Sequence, residues 1–356
     1  MTEWKTYKLS EITIMRNGKK RPSTKGCYPV YGGNGIMDYA DCFNAINTII
    51  VGRVGAYCGN VCQCKGKCWV SDNAISVSAN EFADNDYLYY LMTSLDFHHH
   101  HIGGAQPLMT QDIIGGFEIS LPPLEEQRRI AGILGAIDDK IECNRRINAN
   151  LESQAQALYK QWFVDTETIN LGNVVKTTSG GTPSRNHPEY YGGKYKWVKS
   201  KELNNSFVIE TEESITDIGI AKSAAKMLPA KSILIAMYGA TVGQYAIISS
   251  TMACNQAICA LLPNDDYPYT YLYMFIKNQK QELINKAIGS AQQNISQILI
   301  KDLKISNDVK RIRNFHKIAQ PYFEIIERNQ IENRNLATLR DTLLPKLMNG
   351  EIKIAE

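Results

Sequence analysis

Apolar side chains recur at alternating steps of four and three through the middle of this chain. The positions are Ile130, Leu134, Ile137, Ile141, then Asn144 and Asn148, then Leu151, Ala155, Leu158 and Trp162. An average step of 3.5 residues marks a helix packed along its length on another helix. Pro122 and Pro123 block any helix from running back past them, so the segment starts there. At about 1.5 Å per residue, about 40 residues form a rod of roughly 60 Å, the shape of a spacer. The same pattern returns 185 positions later as Phe315, Ala319, Tyr322, Ile326, Asn329, Asn333, Leu336, Arg340, Leu343 and Leu347. Only Arg340 breaks it, and both asparagines recur, within IECNRRINANL (141–151) and IERNQIENRNL (326–336). An apolar seam repeats easily by chance, whereas two polar interruptions inside it do not. Two copies of one long helix are therefore expected.

Copies that pair about a two-fold axis perpendicular to them run antiparallel, and matching the seams end to end makes facing positions add to 477. Trp162 then faces Phe315, Leu158 faces Ala319, Ala155 faces Tyr322 and Leu151 faces Ile326. Asn148 faces Asn329, and Asn144 faces Asn333. Buried amides cost roughly 1–3 kcal/mol each when unpaired, so these should hydrogen-bond across the seam and fix its register. The expected interface comprises Ile137, Ile141, Asn144, Asn148 and Leu151 against Ile326, Asn329, Asn333 and Leu336. A half-chain carrying one such helix is expected to pair with itself.

The segments between the helices also repeat. TIIVGRVGAYCGNV (48–61) reads as a strand ending in glycines and lies over SILIAMYGATVGQY (232–245), with Gly55 on Gly239 and Gly59 on Gly243. NAI (73–75) lies over QAI (256–258), and the amphipathic helix YLYYLM (87–92) over YLYMFI (271–276). GGAQPLMTQDIIGGFEI (103–119) lies over GSAQQNISQILIKDLKI (289–305), and GFEISLPP (116–123) reads as a strand closing at the prolines. Near the starts, Pro22-Ser23 lies over Pro183-Ser184, after which the second copy is longer. The expected plan is a globular domain at 1–121, a long helix at 122–164, a second domain at 165–307 and a second helix at 308–350.

Length and composition permit this: 356 residues, 44% apolar and 21% charged, suit a soluble protein with more than one core. No run is apolar enough to span a membrane and the N-terminus is too polar for a signal peptide, so a cytoplasmic location is expected. Nine cysteines at irregular spacing fit free thiols there. The net charge of +3 says little, but two local clusters are basic. One holds Arg16, Lys19, Lys20, Arg21 and Lys25; the other holds Arg185, Lys194, Lys196, Lys199 and Lys201 against Glu189. Both have the Gly, Pro, Ser and Tyr content of ordered loops, and phosphate contact competes there with a plain solvated surface.

The central segment LPPLEEQRRIAGILGAIDDKIECNRRINANLESQAQALYKQWF resembles the central region of specificity subunits of type I restriction–modification systems. YPVYGGNG (28–35), the GATVG loop (239–243) and LRDTLLPKLMNGEI (339–352) are similar to that family too, in the same order along the whole chain. The resemblance implies an α+β fold: two similar α/β target recognition domains joined by two long antiparallel helices that form a coiled-coil spacer. It implies that each domain reads one half of a bipartite, asymmetric target on double-stranded DNA. It also implies two modification (methyltransferase) subunits as partners, which carry the S-adenosylmethionine, and restriction/translocase subunits. No cofactor is expected in this chain itself.

Residues expected to meet DNA follow from loop position and chemistry. In the first domain they are Lys19, Lys20, Arg21, Tyr31, Asn34, Arg53 and Gln106. In the second they are Arg185, Lys194, Lys199, Lys201, Tyr238, Thr241, Gln292, Gln293 and Asn294. Amide side chains suit bidentate reading of adenine, although such residues are also common in plain turns. Cys58, Cys62, Cys64 and Cys68 near His98–His101 invite a zinc reading, but their spacing is not that of a finger or ribbon, and a reduced thiol cluster is expected instead. There is no phosphate loop and no Asn/Asp-Pro-Pro-Tyr/Phe motif of an amino-methyltransferase, so no catalytic residue is expected. A stand-alone DNA-processing enzyme, such as a nuclease with an acidic site, is the competing reading, and a protein-only scaffold is a third.

Overall fold

The structure is a computed structural model describing residues 4–103, 107–287, 294–352 and 354. Two long helices dominate it, Leu124–Trp162 with 39 residues and Val309–Met348 with 40. Pro321 and Pro345 lie inside the second, each forfeiting a backbone donor. The contacts divide the chain into two units. The first takes Met1–Ile141 with Asn335–Glu356, and the second takes Glu142–Arg334, so each unit holds part of both helices.

In the first unit a six-stranded sheet runs in the order Thr13–Asn17, Ala74–Ala79, Ala45–Gly52, Val61–Val70, Lys25–Gly32, Gly35–Ala40. All neighbours are antiparallel except Val61–Val70 with Lys25–Gly32. A separate pair joins Lys5–Lys8 to Glu118–Leu121. Ile49, Val51, Ile75 and Val77 face the short helix Asn85–Ser94, which buries Tyr87, Leu88, Leu91 and Met92. Asp84 caps that helix by accepting from the backbone N–H of Asp86 and Tyr87. Ile130, Ala131, Leu134, Leu347 and Met348 belong to the same core, so the long helices are part of this unit's interior. Gln127, only 1% exposed, anchors the first of them. Its amide donates to the Pro122 carbonyl at 2.8 Å and the Phe82 carbonyl at 3.2 Å, and its oxygen accepts from the Asp84 N–H at 2.8 Å.

The second unit repeats the plan. Lys176–Ser179, Ile258–Leu262, Ile233–Ala236, Tyr245–Ile248 and Phe207–Val208 form one sheet, and Glu213–Ile215, Tyr191–Val198 and Ala253–Cys254 another. Thr168–Asn170 pairs with Lys304–Ser306 as Lys5–Lys8 pairs with Glu118–Leu121. The added length of this copy lies largely between Val198 and Ile233. It builds Phe207–Val208, which extends the sheet beside Tyr245–Ile248, and the helix Asp217–Ala221. Tyr271, Leu272 and Phe275 of the helix Tyr269–Asn285 pack with Ala155, Tyr159, Phe315, Ala319 and Phe323 of the long helices.

The long helices pair antiparallel, and in the register the seam predicts. Within the second unit Asn144 donates to Asn333 Oδ1 at 2.8 Å, and Asn329 donates to Asn148 Oδ1 at 2.9 Å. Asn144 also donates to Glu332 at 2.8 Å, and Asn144 and Asn329 are 1% and 6% exposed. At the far end the rings on Phe315 are those of Tyr159 and Phe163 rather than Trp162, whose carbonyl instead accepts from Arg311 at 2.9 Å. Within the first unit, the seam's one exception finds an anion. Arg340 donates to Asp138 at 2.7 Å, and Asp138 also accepts from the Tyr90 hydroxyl at 2.7 Å.

One alignment shifts. The amide of Arg53 donates to the Asn73 carbonyl and that of Met237 to the Ala257 carbonyl, so Asn73 corresponds to Ala257 rather than to Gln256. Gln256 corresponds to Asp72.

The amide pairs make a stability prediction. Asn329→Ala leaves the half-buried Asn148 oxygen without its donor and should lower unfolding free energy by about 1 kcal/mol. Asn148→Leu combined with Asn329→Leu should recover most of that loss. Chemical denaturation of the three proteins checks both outcomes.

Candidate nucleic-acid interface

One end of each main sheet carries the same knot of backbone hydrogen bonds. In the first unit Gly59 N–H donates to the Gly52 carbonyl at 2.8 Å, Arg53 N–H to Asn73 at 2.9 Å, Met109 N–H to Arg53 at 2.8 Å and Lys19 N–H to Val70 at 3.0 Å. In the second unit the matching bonds run from Gly243 to Ala236 at 3.0 Å, Met237 to Ala257 at 2.8 Å, Ile295 to Met237 at 2.8 Å and Gly181 to Cys254 at 2.9 Å. Single bridges between Val54 and Leu108, and between Tyr238 and Asn294, complete the two sets. The glycines aligned from sequence supply the turn: Gly55 and Gly239 have φ of 74° and 69°, and Gly59 and Gly243 have φ of 83° and 77°. L-residues seldom enter that left-handed region.

This knot gathers most of the loops expected to meet DNA in the first unit. Lys19 and Lys20 are exposed beside the Ser71–Asn73 turn, and Arg53, partly buried, lies next to them. Asn34 is exposed at the tip of a turn whose Gly33 carbonyl accepts from Asn60 at 2.8 Å. Arg21 lies 3.6 Å from Asp38, whose carboxyl is held low mainly by its hydrogen bond to Lys25. Tyr31 lies inside the sheet rather than on the rim, packed with Cys64, Cys68 and Val70, and burial drives its phenol far above the usual range. Strand alternation turns it inward, and what it offers the turn is its carbonyl, which accepts from Ser71 at 2.9 Å. Beside the rim an open apolar cavity of about 470 Å³ is lined by Ile36, Met37, Val54 and Tyr57, suited to a thymine methyl.

In the second unit Tyr238 is 40% exposed on this rim, its carbonyl accepts from the Thr241 hydroxyl at 3.2 Å, and Asn294 is exposed opposite it. The basic cluster is closely paired with acids, as Arg21 and Lys25 are with Asp38 in the first unit. Arg185 pairs with Glu213 at 2.7 Å and covers the Tyr191 ring at 4.3 Å. Lys199 pairs with Glu212 at 2.7 Å and Glu213 at 2.8 Å, Lys201 with Glu212 at 2.7 Å, and Lys194 with Asp217 at 3.3 Å. Arg185 and then Lys199 hold the Glu213 carboxyl down to about 2. Its folded value lies below the unfolded one, so the stabilisation is present at neutral pH and is lost as pH falls through about 2. Gln106, Gln292 and Gln293 lie outside the described residues.

The thiols separate. Cys58 belongs to the main core of the first unit, whereas Cys62, Cys64 and Cys68 line the other face of its sheet. His98 Nδ1 meets the Cys58 carbonyl at 2.9 Å, and His99 pairs with Asp96. Among the described residues no group of three or more His, Cys, Asp or Glu side chains is arranged to hold a metal, and no helix is long and apolar enough to cross a membrane.

The knot makes its own prediction. A Cβ on Gly55 would meet open space, so Gly55→Ala carries only the left-handed penalty of about 1–2 kcal/mol. A Cβ on Gly59 would come within 2.8 Å of the His98 nitrogen, so Gly59→Ala should lower the melting temperature clearly more than Gly55→Ala in parallel thermal melts.

The profile of the type I restriction modification DNA specificity domain matches the chain twice, over residues 1–153 and 164–307. The specificity subunit of the type I restriction enzyme HindI from Haemophilus influenzae is 26% identical over 331 residues, covering 70% of this chain and 72% of that one. The MjaIX specificity subunit from Methanocaldococcus jannaschii is 26% identical over 306 residues, covering 76% and 70%. In fold, the chain is similar to the crystal structure of the type I restriction–modification S subunit from M. genitalium, with a TM-score of 0.67 at 18% identity, over 99% of this chain and 97% of the other. Two matched domains, each built on the same glycine knot, place this chain in the family of type I restriction–modification specificity subunits.

Proposed function

We propose that the chain is the sequence-specific DNA-binding subunit of a type I restriction–modification complex and reads a bipartite, asymmetric target, one half per unit. The observation that carries this is the rim. Its backbone bonds are the same in both units while its side chains differ, with Val54 and Leu108 in one answering to Tyr238 and Asn294 in the other. A constant scaffold with changed side chains reads two different sequences in one geometry. Methyl transfer belongs to two partner modification subunits that bind S-adenosylmethionine, and cleavage to restriction/translocase subunits that join them. Work on the cell's DNA puts the complex in the cytoplasm. A stand-alone nuclease gains no support from a family defined by a specificity domain.

The purified chain should therefore neither methylate nor cut DNA. With partner methyltransferase subunits and S-adenosylmethionine, methylation should appear at one split sequence, read by sequencing of the modified DNA. Methyl transfer by the chain alone would sink the proposal. The charge arrangement adds a finer outcome. Lys19 has no acidic partner among the described residues, so Lys19→Ala should weaken binding to all duplexes and reduce the salt slope by about 0.9. Arg185 is already committed to Glu213, and Arg185→Ala should change that slope by less.

A further inference from the structure

The rim of the second unit holds an oriented amide outside the residues expected to meet DNA. Gln256 is exposed on the turn following Ala253–Cys254, and the Thr182 hydroxyl donates to its Oε1. With its carbonyl oxygen held, the side chain turns its NH2 group, two donors, toward solvent. The turn itself is fixed on both sides: Gly181 N–H donates to the Cys254 carbonyl at 2.9 Å, and Asn255 N–H donates to the Val198 carbonyl at 2.9 Å. The first unit makes the corresponding bonds from Lys19 to Val70 at 3.0 Å and from Ser71 to Tyr31 at 2.9 Å. Those bonds set Thr182 over Lys20 and Gln256 over Asp72, all four exposed. At one point of a common scaffold, then, one unit presents amide donors steadied by a hydroxyl, and the other carries the carboxylate of Asp72 and the lysine Lys20 at the matching positions.

We propose that this point is a base-reading position in both units, with opposite polarity. Gln256 takes the acceptor edge of a purine, as the O6 and N7 of guanine offer, and Thr182 is its positioning residue. Asp72 takes an exocyclic amino donor, as the N4 of cytosine offers. The close backbone packing beneath makes the geometry hard to displace. A Cβ on Gly180 would fall 2.1 Å from the Cys254 oxygen and one on Gly18 would fall 1.9 Å from the Ser71 oxygen, so neither strand end can slide away from its turn. The inference rests on the proposed function and adds to it which residues choose a base.

The test uses the full chain assembled with partner methyltransferase subunits, with the methylated sequence read by sequencing across a random-sequence duplex library. Gln256→Ala should relax discrimination at one base pair of one half-site, on the order of 10- to 100-fold, and leave the other half-site unchanged. Gln256→Asp should move preference at that base pair toward cytosine. Asp72→Gln should alter one base pair of the opposite half-site only. Thr182→Ala should weaken discrimination at the Gln256 base pair, and Thr182→Ser should keep it, since only the hydroxyl is used. Binding to non-target duplex and its salt slope should not change in the charge-neutral variants Gln256→Ala, Thr182→Ala and Thr182→Ser. Unchanged methylated sequences in Gln256→Ala and Asp72→Gln would overturn the inference while leaving the proposed function standing. An equal loss on all sequences with a shallower salt slope in Gln256→Ala would also overturn it, by making this residue a phosphate contact. A wild-type assembly that modifies no specific sequence would overturn the proposed function itself.

Discussion

A polar group removed from water must find a partner, and the long helices are arranged around that requirement. Apolar residues alone would let one helix slide past the other by a heptad with little penalty. The amides of Asn144 and Asn148 remove that freedom, because each meets an asparagine of the other helix at hydrogen-bond distance in one register only. Everything that packs on the pair inherits the register. The core around Tyr271 and Phe275 is built on Ala155, Tyr159, Phe315 and Ala319, which face it only because the helices stand where the amides hold them.

The recognition ends obey a similar economy. Glycines in the left-handed region and a few bonds between main-chain groups form the knot. Side chains there can change without loss of the turn, and between the two units they have changed at nearly every place. The second unit carries the idea further by adding chain. Glu212 and Asp217 come from its added segment, and with Glu213, which stands where the first unit has Asp38, they neutralise lysines and an arginine that would otherwise repel one another.

Much of this was legible in the sequence, for physical reasons. A 3.5-residue seam survives any mutation that keeps it apolar, and two asparagines repeated inside it announce both pairing and direction. The glycines of the turn were equally plain, because residues with a side chain seldom enter the left-handed region that the turn uses. The rest was not. Counting charges along the chain finds Arg185, Lys199 and Lys201 as a basic cluster, yet their acids lie farther on and reach them only in the folded sheet. Tyr31 reads as a loop aromatic until strand alternation turns it inward. NAI and QAI look like one motif, whereas the hydrogen bonds set them one residue apart. Gln256 was visible only as the first letter of that repeat, because an exposed amide in a turn has no periodicity to betray a role.

The ion pair of Arg340 with Asp138 has a consequence for how duplicated halves stay distinct. The counterpart of Arg340 on the first helix is Ala155. Were two copies of the first half to pair through that helix alone, Asp138 would face an alanine, and the carboxylate that now holds both Arg340 and the Tyr90 hydroxyl would lose its cation. The intact chain satisfies that charge; a symmetric partner would not. One substitution in the seam thus gives the two repeats a handshake that each lacks with itself, and biases assembly toward the joined, unlike pair from which an asymmetric reader is made.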